Sequence, residues 1–588
     1  MQKNTHKETL KPILYWLVVY AALFAFLQIG YEFHFYFVEQ NQLFQNDWVA
    51  VSEMLFRPGG FAACISGFLV QFFCYQYVGA AITALLLTIS GGLVHLIIRK
   101  IAPDTRLAVF CLFPVVALLF AHLDYIYIVS GTIAFIVALK AVYLTFLFKK
   151  VERRIWIEVF FTLALLFLAG SVYVFYALLV ILIELLFFKS RKRFFALFLM
   201  PEAALIGWMS VKSAVFGEYR TVFLPDLYYN LLVKPETVLY FSWISTLLLM
   251  VVARLTNRSF KLPIRILSFV IQTVVIVLFC LEGIPKYDWR DIYEIKQLDW
   301  YSRTGQWDKI LEQGQGKINY YGKLCHINLA LSQRGELGER MFTFDQRDPW
   351  GLISTWDKTM IISLLNSDIS FSMDYISFSQ EMAFEAYLSA MNGGNPRALK
   401  RLVQTNLIYG AYPVAEKYIR ILEKTVAYRA WAQSQRPFLY NDKAVEADPL
   451  LGAKRRSLPA NSDLSMLIDM ETALQQVAEN NSDARSAIEY LCASRLLAKD
   501  LDGFKLLLDN YFYSSSERLV LPRSFQEAIC ILNESDPSVW ESLGVSDKTA
   551  DRFDSFKQTL LSNRNDAGLP AIMARQFGDT YWYFVMYK

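Results

Sequence analysis

Acidic and basic side chains gather at a few points in an otherwise apolar amino-terminal half. Tyr31-Glu32-Phe33-His34 follows the first long apolar run, and Glu39, Asp47, Glu53 and Arg57 come soon after it. His122 and Asp124 fall in a turn between two later apolar runs, and Lys212, Glu218, Arg220 and Asp226 in a further polar stretch. Such a set is equipped for group transfer. A carboxylate, Glu32 or Asp47, accepts the proton of an attacking hydroxyl, an assistance of about 10²- to 10⁴-fold. A cation, Arg220, Lys212 or Arg57, stabilises the charge on a leaving oxyanion, and Arg suits that task because its planar fork makes bidentate contacts. Asp124, in the neighbouring turn, joins the substrate-binding group. Each of these residues also has a plainer role, since charged groups at the ends of spans commonly meet headgroups and water. His34 and His122 read as structural hydrogen-bonders. The seven Cys are scattered with no CxxC and no zinc signature, so the sequence points to no metal and no cofactor. Nor does it contain a GxGxxG after a strand, a Walker loop, HExxH or GxSxG.

What must position these groups is a set of membrane helices. The chain has 588 residues, 55% hydrophobic and only 19% charged. Residues 1–284 hold 23 Lys and Arg against 15 Asp and Glu, whereas residues 285–588 hold 35 against 39. The first half reads as membrane and the second as soluble, which excludes a wholly soluble enzyme. The soluble half is acidic and has no basic stripe, so nucleic acid is not an expected partner. Apolar runs lie at Ile13–Gly30, Val78–Ile98, Leu107–His122, Ile126–Phe148, Ile155–Ala169, Ser171–Phe188, Phe194–Met209, Val238–Val252 and Ile264–Leu281. Several fall short of the roughly 20 residues a span needs, so tilt or burial by neighbours must assist them.

Basic residues stay on the cytoplasmic side during insertion, and the alternate loops divide 18 to 4 in Lys and Arg. The richer set includes Lys3, Lys7 and Lys11, so the amino terminus reads as inside. An odd number of spans must then separate Lys11 from Arg99. The stretch Phe61–Tyr75, which follows Arg57-Pro58-Gly59-Gly60, is therefore expected not to cross. Phe61, Ile65, Phe68, Leu69, Phe72 and Phe73 make a stripe at helical spacing, as in an interfacial helix. About nine spans follow, with the carboxyl terminus outside. The alternative is an ordinary tenth span. Glu184 and Glu202 lie within predicted spans, where a charge is costly and suggestive of function, such as an ion path.

The expectation is an all-α chain, with a transmembrane domain at 1–284 and a soluble α-helical domain at 285–588. In the second domain, Gly410-Ala-Tyr412-Pro-Val-Ala415-Glu-Lys-Tyr418-Ile419, with Leu402 before it, resembles the tetratricopeptide (TPR) pattern. There Gly turns the chain between two helices and Ala lets them pack closely. Looser copies run through Gly305-Gln-Trp307 and Lys499-Asp-Leu501, and Gly305 and Gly410 lie about three repeats of roughly 34 residues apart.

The membrane half, on Glu32, Asp47 and the helix after Pro58, resembles the C-type (GT-C) glycosyltransferase fold, a likeness of topology over residues 10–285. It lacks the paired acids such enzymes carry directly after the first span. The whole chain is similar to a family of multi-spanning envelope proteins of Bacteroidota-type bacteria, a likeness that carries no activity. The resemblance implies a bacterial inner-membrane protein with a periplasmic carboxyl-terminal domain. It also implies membrane lipid and a polyprenyl-phosphate sugar donor as partners. Three functions stay open: sugar transfer to an envelope acceptor; a non-catalytic scaffold holding an envelope protein on its TPR-like domain; or a transporter or flippase.

Overall fold

The computed structural model describes residues 2–230, 233–258, 261–391, 393–458, 470–481, 484–513 and 520–588. Side chains are described from Pro12 onward, so those of Lys3, Lys7 and Lys11 lie outside the description. Among the described residues the chain is all-helical without a strand, and one isolated antiparallel bridge joins Tyr127 to Tyr229. The chain divides into two compact units. One comprises Met1–Tyr293, Met391–Gly393 and Lys424–Ala427; the other comprises Glu294–Ala390, Gly394–Glu423 and Tyr428–Lys588.

The first unit begins with α1 (Gln2–Gln40), α2 (Trp48–Leu55), α3 (Gly60–Val70) and α4 (Val78–Ile101). It continues with α5 (Leu112–Leu123), α6 (Ser130–Thr145), α7 (Val151–Ala169) and α8 (Val172–Phe187). It ends with α9 (Leu199–Lys212), α10 (Tyr219–Phe223), α11 (Thr237–Thr256) and α12 (Leu262–Tyr287). Five described helical stretches have the length and apolarity to cross a membrane: Pro12–Gln40, α4, Arg191–Lys212, α11 and α12. The other four predicted spans coincide with α5 to α8. At 12 to 19 residues these are shorter than the roughly 20 a span needs, and α5 is the most enclosed of them. In α5 every residue from Pro114 to Leu123 is buried, as befits a helix enclosed by other helices rather than by lipid. The lone α12 face is the opposite case. It exposes Ile266, Leu267, Val270, Val274 and Leu278, an apolar surface far better suited to lipid than to water.

Two local features depart from the sequence reading. The first helix does not stop at Gly30: it breaks at Tyr31 (φ −142°, ψ 27°) and resumes to Gln40, and its last segment is buried through Tyr31, His34, Phe35, Tyr36 and Phe37. The interfacial stretch expected at 61–75 is helical over Gly60–Val70 and then turns. At 11 residues it rises only about 16 Å, against the roughly 30 Å of a bilayer core.

In the second unit one turn recurs. It joins α13 (Arg290–Arg303) to α14 (Trp307–Gln313), α15 (Tyr321–Gln333) to α16 (Leu337–Arg340), α17 (Met360–Ser372) to α18 (Ile376–Leu388), and α19 (Pro396–Ile408) to α20 (Tyr412–Glu423). It also joins the helices Arg485–Leu497 and Leu501–Tyr511. The turning residues are Gly305, Gly335, Asp374, Gly410 and Lys499, with φ from +58° to +72°. In each case the next amide reaches back five residues: Gln306 N–H to Tyr301 O at 2.9 Å, Glu336 to Leu331 at 2.8 Å, Tyr375 to Ser370 at 2.9 Å, Ala411 to Asn406 at 2.8 Å and Asp500 to Arg495 at 2.9 Å. A left-handed residue satisfying the last helical carbonyls in this way is an efficient helix stop. After Gly410 the side chains of Tyr412, Ala415, Ile419 and Leu422 are all buried. In α17 and α18 the hydroxyls of Ser367 and Ser379 each donate to the other's carbonyl at 2.8 Å, which requires close helix approach. The aromatic carboxyl end caps the last helices: Tyr581, Trp582 and Phe584 are buried, and Trp582 Nε1 donates to Glu527 O at 2.7 Å.

Candidate functional site

Three polar segments of the first unit meet around one cavity of about 150 Å³. It is lined by Gln42, Leu43 and Phe44, by residues between Met54 and Gly67, by Ile128 and Ser130, and by Leu227 and Tyr228. The close approach that builds it is visible at two glycines. Gly59, at φ +74°, donates its N–H to Leu166 O at 3.0 Å. A Cβ at Gly59 would lie 3.4 Å from the backbone of Gly170, itself at φ +81° in the corner between α7 and α8. Tyr228 ties the same corner down, donating to Ala169 O and accepting the Val172 N–H at 3.2 Å. Behind it, Ile128 N–H bonds Tyr228 O at 3.0 Å, so the 127–128 and 228–229 segments pair briefly as extended chains. The lining is mainly apolar, and on its wall Gln42 Nε2 and Ser66 Oγ are buried with no hydrogen-bond partner among the described residues. Buried polar groups are nearly always paired, so two such donors on one cavity point to a ligand oxygen or to water.

The charged residues named from sequence surround this region but do not line the cavity. Glu32, just past the break in α1, accepts the Tyr36 hydroxyl at 2.9 Å. Asp47 stands at the amino end of α2 without capping it. Its Oδ2 accepts Lys424 Nζ at 2.8 Å, a contact within the first unit, while its Oδ1 is buried without a partner among the described residues. Arg57 is exposed and directly precedes Pro58 of the cavity wall. Lys212 is exposed at the end of α9.

Two carboxylates anchor the 225–229 segment, Asp124 from the turn after α5 and Asp226 from within the segment itself. Asp124 accepts the Ile126 N–H at 3.0 Å and the Tyr229 hydroxyl. Asp226, 3% exposed, takes Arg220 Nε at 2.9 Å, Arg220 Nη2 at 2.7 Å and the Tyr240 hydroxyl at 2.5 Å. Arg220 leaves 56% of its side chain exposed beside a small cleft formed with Glu218, Asn230 and Pro235. Asp226 therefore balances its charge, and the pair braces the loop. His122 donates to or accepts from Thr132 Oγ1 at 2.8 Å, a structural contact.

A further cluster lies between α7 and α8. Arg154 forms a bidentate pair with Glu184, Nη2 to Oε2 at 3.0 Å, and its Nε lies 3.8 Å from Glu158 Oε1. All three side chains are at most 3% exposed, and the guanidinium stacks 4.1 Å from the Phe188 ring centre. Sequence singled out Glu184 but not its partner Arg154, because nothing in a linear reading says that two helices will fold face to face. Gln42, Ser66, Ser130 and Tyr228 were also missed. The available signal was the small-residue face of α3, Gly60, Ala62, Ala63, Ser66 and Gly67, which permits close approach. Glu202 is half-buried on α9. Among the described residues no group of three His, Cys, Asp or Glu side chains is placed to hold a metal ion.

The family model described as "Family of unknown function (DUF6057)" matches residues 8–588, so the chain belongs to that family. No curated protein and no solved structure matches it.

Proposed function

We propose that this member of the DUF6057 family is a GT-C-like glycosyltransferase of the bacterial inner membrane, moving a sugar from a polyprenyl-phosphate donor to an envelope acceptor. The observation that supports this reading is the meeting of three polar segments at one cavity that combines apolar walls with the unsatisfied donors Gln42 Nε2 and Ser66 Oγ. Apolar walls with a few convergent polar groups are the usual make-up of a ligand site. An isoprenoid-linked sugar offers both matching chemistries, an apolar chain and acceptor oxygens. In the reaction the acceptor hydroxyl attacks the anomeric carbon and its proton passes to a carboxylate. The bond from sugar to phosphate breaks, and polyprenyl phosphate leaves with the electron pair. Asp47, whose Oδ1 has no hydrogen-bond partner among the described residues, is the base, with Glu32 as the alternative. Arg57, beside the cavity wall, is the cation for the departing phosphate; Arg220, already balanced by Asp226, is a brace. Nine spans, an inner amino terminus and a periplasmic second domain belong to the same reading.

The test is photo-crosslinking of a polyprenyl phosphate with a reactive group near its phosphate to the full chain in lipid nanodiscs. Labelled peptides from residues 42–67 and 227–228 are expected. Label confined to the lipid-exposed faces of α1 and α12 would refute the site. The recurring helical turn of the second unit favours a second reading, a scaffold that holds an envelope protein on that helical array; it predicts pull-down of one envelope protein that deletion of residues 294–588 abolishes.

A further inference from the structure

Arg154 of α7 stands beside two carboxyl groups and balances only one of them. Its guanidinium grips Glu184 of α8 at both oxygens, Nη2 to Oε2 at 3.0 Å and Nε to Oε1. Glu158, one turn further along α7, brings its Oε1 only to 3.8 Å from that Nε, too far for a hydrogen bond. The same oxygen is buried and has no hydrogen-bond partner among the described residues. All three side chains are at most 3% exposed. The Phe146 and Phe188 rings, 5.8 and 4.1 Å from the guanidinium, keep the surroundings apolar.

With both carboxyls ionised, two acids and one base would leave a net negative charge in this place, and an uncompensated buried charge is costly. Among the described residues no second cation cancels it. Of the elements packed against α7, α8 brings Glu184 and Tyr176, and α9 brings the half-buried Glu202. The Tyr176 hydroxyl bonds Thr145 Oγ1 of α6 at 2.8 Å and interacts electrostatically with Glu158 and Glu202. α6 also carries Tyr143 and an exposed Lys140, whereas α3 has no charged residue and only Cys64 as a titratable one. In the stretch Arg191–Phe198, Arg191 is exposed, Lys192 pairs with Glu152 at 2.5 Å, and Arg193 donates to the carbonyls of Leu185 and Phe188.

We propose that Glu158 and Glu184 form a proton-binding site, holding one exchangeable proton between them while Arg154 balances the remaining negative charge. The two carboxyls interact directly with each other, and neighbouring carboxyls that cannot both ionise share a proton. The proton, on either group, makes the pair a donor and an acceptor where two bare carboxylates would only repel. It also needs no pocket, which suits a closely packed place between two helices. A metal ion would need more ligands, and among the described residues no group of three His, Cys, Asp or Glu side chains is placed to supply them. Uptake and release of the proton change the charge between α7 and α8 by one. This site does not depend on the proposed sugar transfer.

The test is infrared spectroscopy of the full chain in lipid nanodiscs at neutral pH, where a protonated carboxyl is read from its carbonyl stretch and from the shift of that band in heavy water. Wild type should show such a band. Glu158→Gln, which keeps the size of the side chain, should remove it, because a single carboxylate is then left opposite Arg154. Glu184→Gln should remove the same band for the same reason. A purely structural ion-pair cluster has no protonated carboxyl to lose. A wild-type spectrum without the band, or a band that survives Glu158→Gln, would overturn the site. Should Glu158→Gln not fold, survival of the band in Glu184→Gln would overturn it instead.

Discussion

A carboxylate that takes a proton must keep an oxygen uncommitted, and by that measure Asp47 and Asp226 part company. Asp226 accepts three hydrogen bonds from Arg220 and Tyr240, so Asp226→Asn should destabilise the chain by about 1–3 kcal/mol through buried groups left unpaired. Asp47→Asn should leave folding intact and lower sugar transfer by about 10²-fold or more; thermal unfolding and a transfer assay on the two variants separate these roles. A second residue-level expectation concerns pH. Burial holds His326 at a pKa of about 4, below its ordinary 6.5, so between those values the unfolded chain binds a proton that the folded one refuses. Stability should therefore fall as pH drops from 6.5 towards 4, and His326→Gln should flatten that part of a midpoint-against-pH curve; an unchanged slope would mean that His326 does not titrate there. The residue types were legible in the sequence, since Glu32, Asp47, Arg57, Asp124 and Arg220 stand out in an apolar context. Their partners were not. Asp124 meets Tyr229 and Asp47 meets Lys424, contacts between residues far apart in the chain that no local pattern announces.

At the scale of the helix, the repeated turn shows what a linear pattern can and cannot carry. Gly305 and Gly410 were readable because glycine marks a left-handed position. Gly335 lay unread between them, and Asp374 makes the same turn with a side chain the pattern does not advertise. Lys499 is the same case, at φ +58°, and only a weak sequence likeness hinted at it. The cost of a side chain there is measurable at Gly335, where an added Cβ would meet nothing within 4 Å. Gly335→Ala should thus lose roughly 1 kcal/mol from backbone strain alone, read as a lowered midpoint of denaturant unfolding. No loss would mean that the turn relaxes. In the membrane unit, the apolar runs located the helices well, but not the burial that lets α5 remain at 12 residues. Nor did they show α1 continuing past Gly30, because a break at one residue leaves no mark in composition.

Taken whole, the chain has a first unit rich in apolar helices and a second unit of recurring helical hairpins. The 18-to-4 division of basic residues predicts an inner amino terminus, with the Gly60–Val70 helix expected not to cross. Alkaline phosphatase fused after Lys588 should accordingly be active and a cytoplasm-dependent fluorescent fusion dark; the reverse pattern would place the second unit inside and remove the enzyme reading with it. The central claim is that the cavity serves transfer from a lipid-linked sugar, and its most direct measurement is the polyprenyl-linked sugar pool in cells depleted of the chain. Depletion should make that pool accumulate, with wild type restoring it and Asp47→Asn, expressed to the same level, failing to do so. A pool unchanged by depletion would contradict the claim.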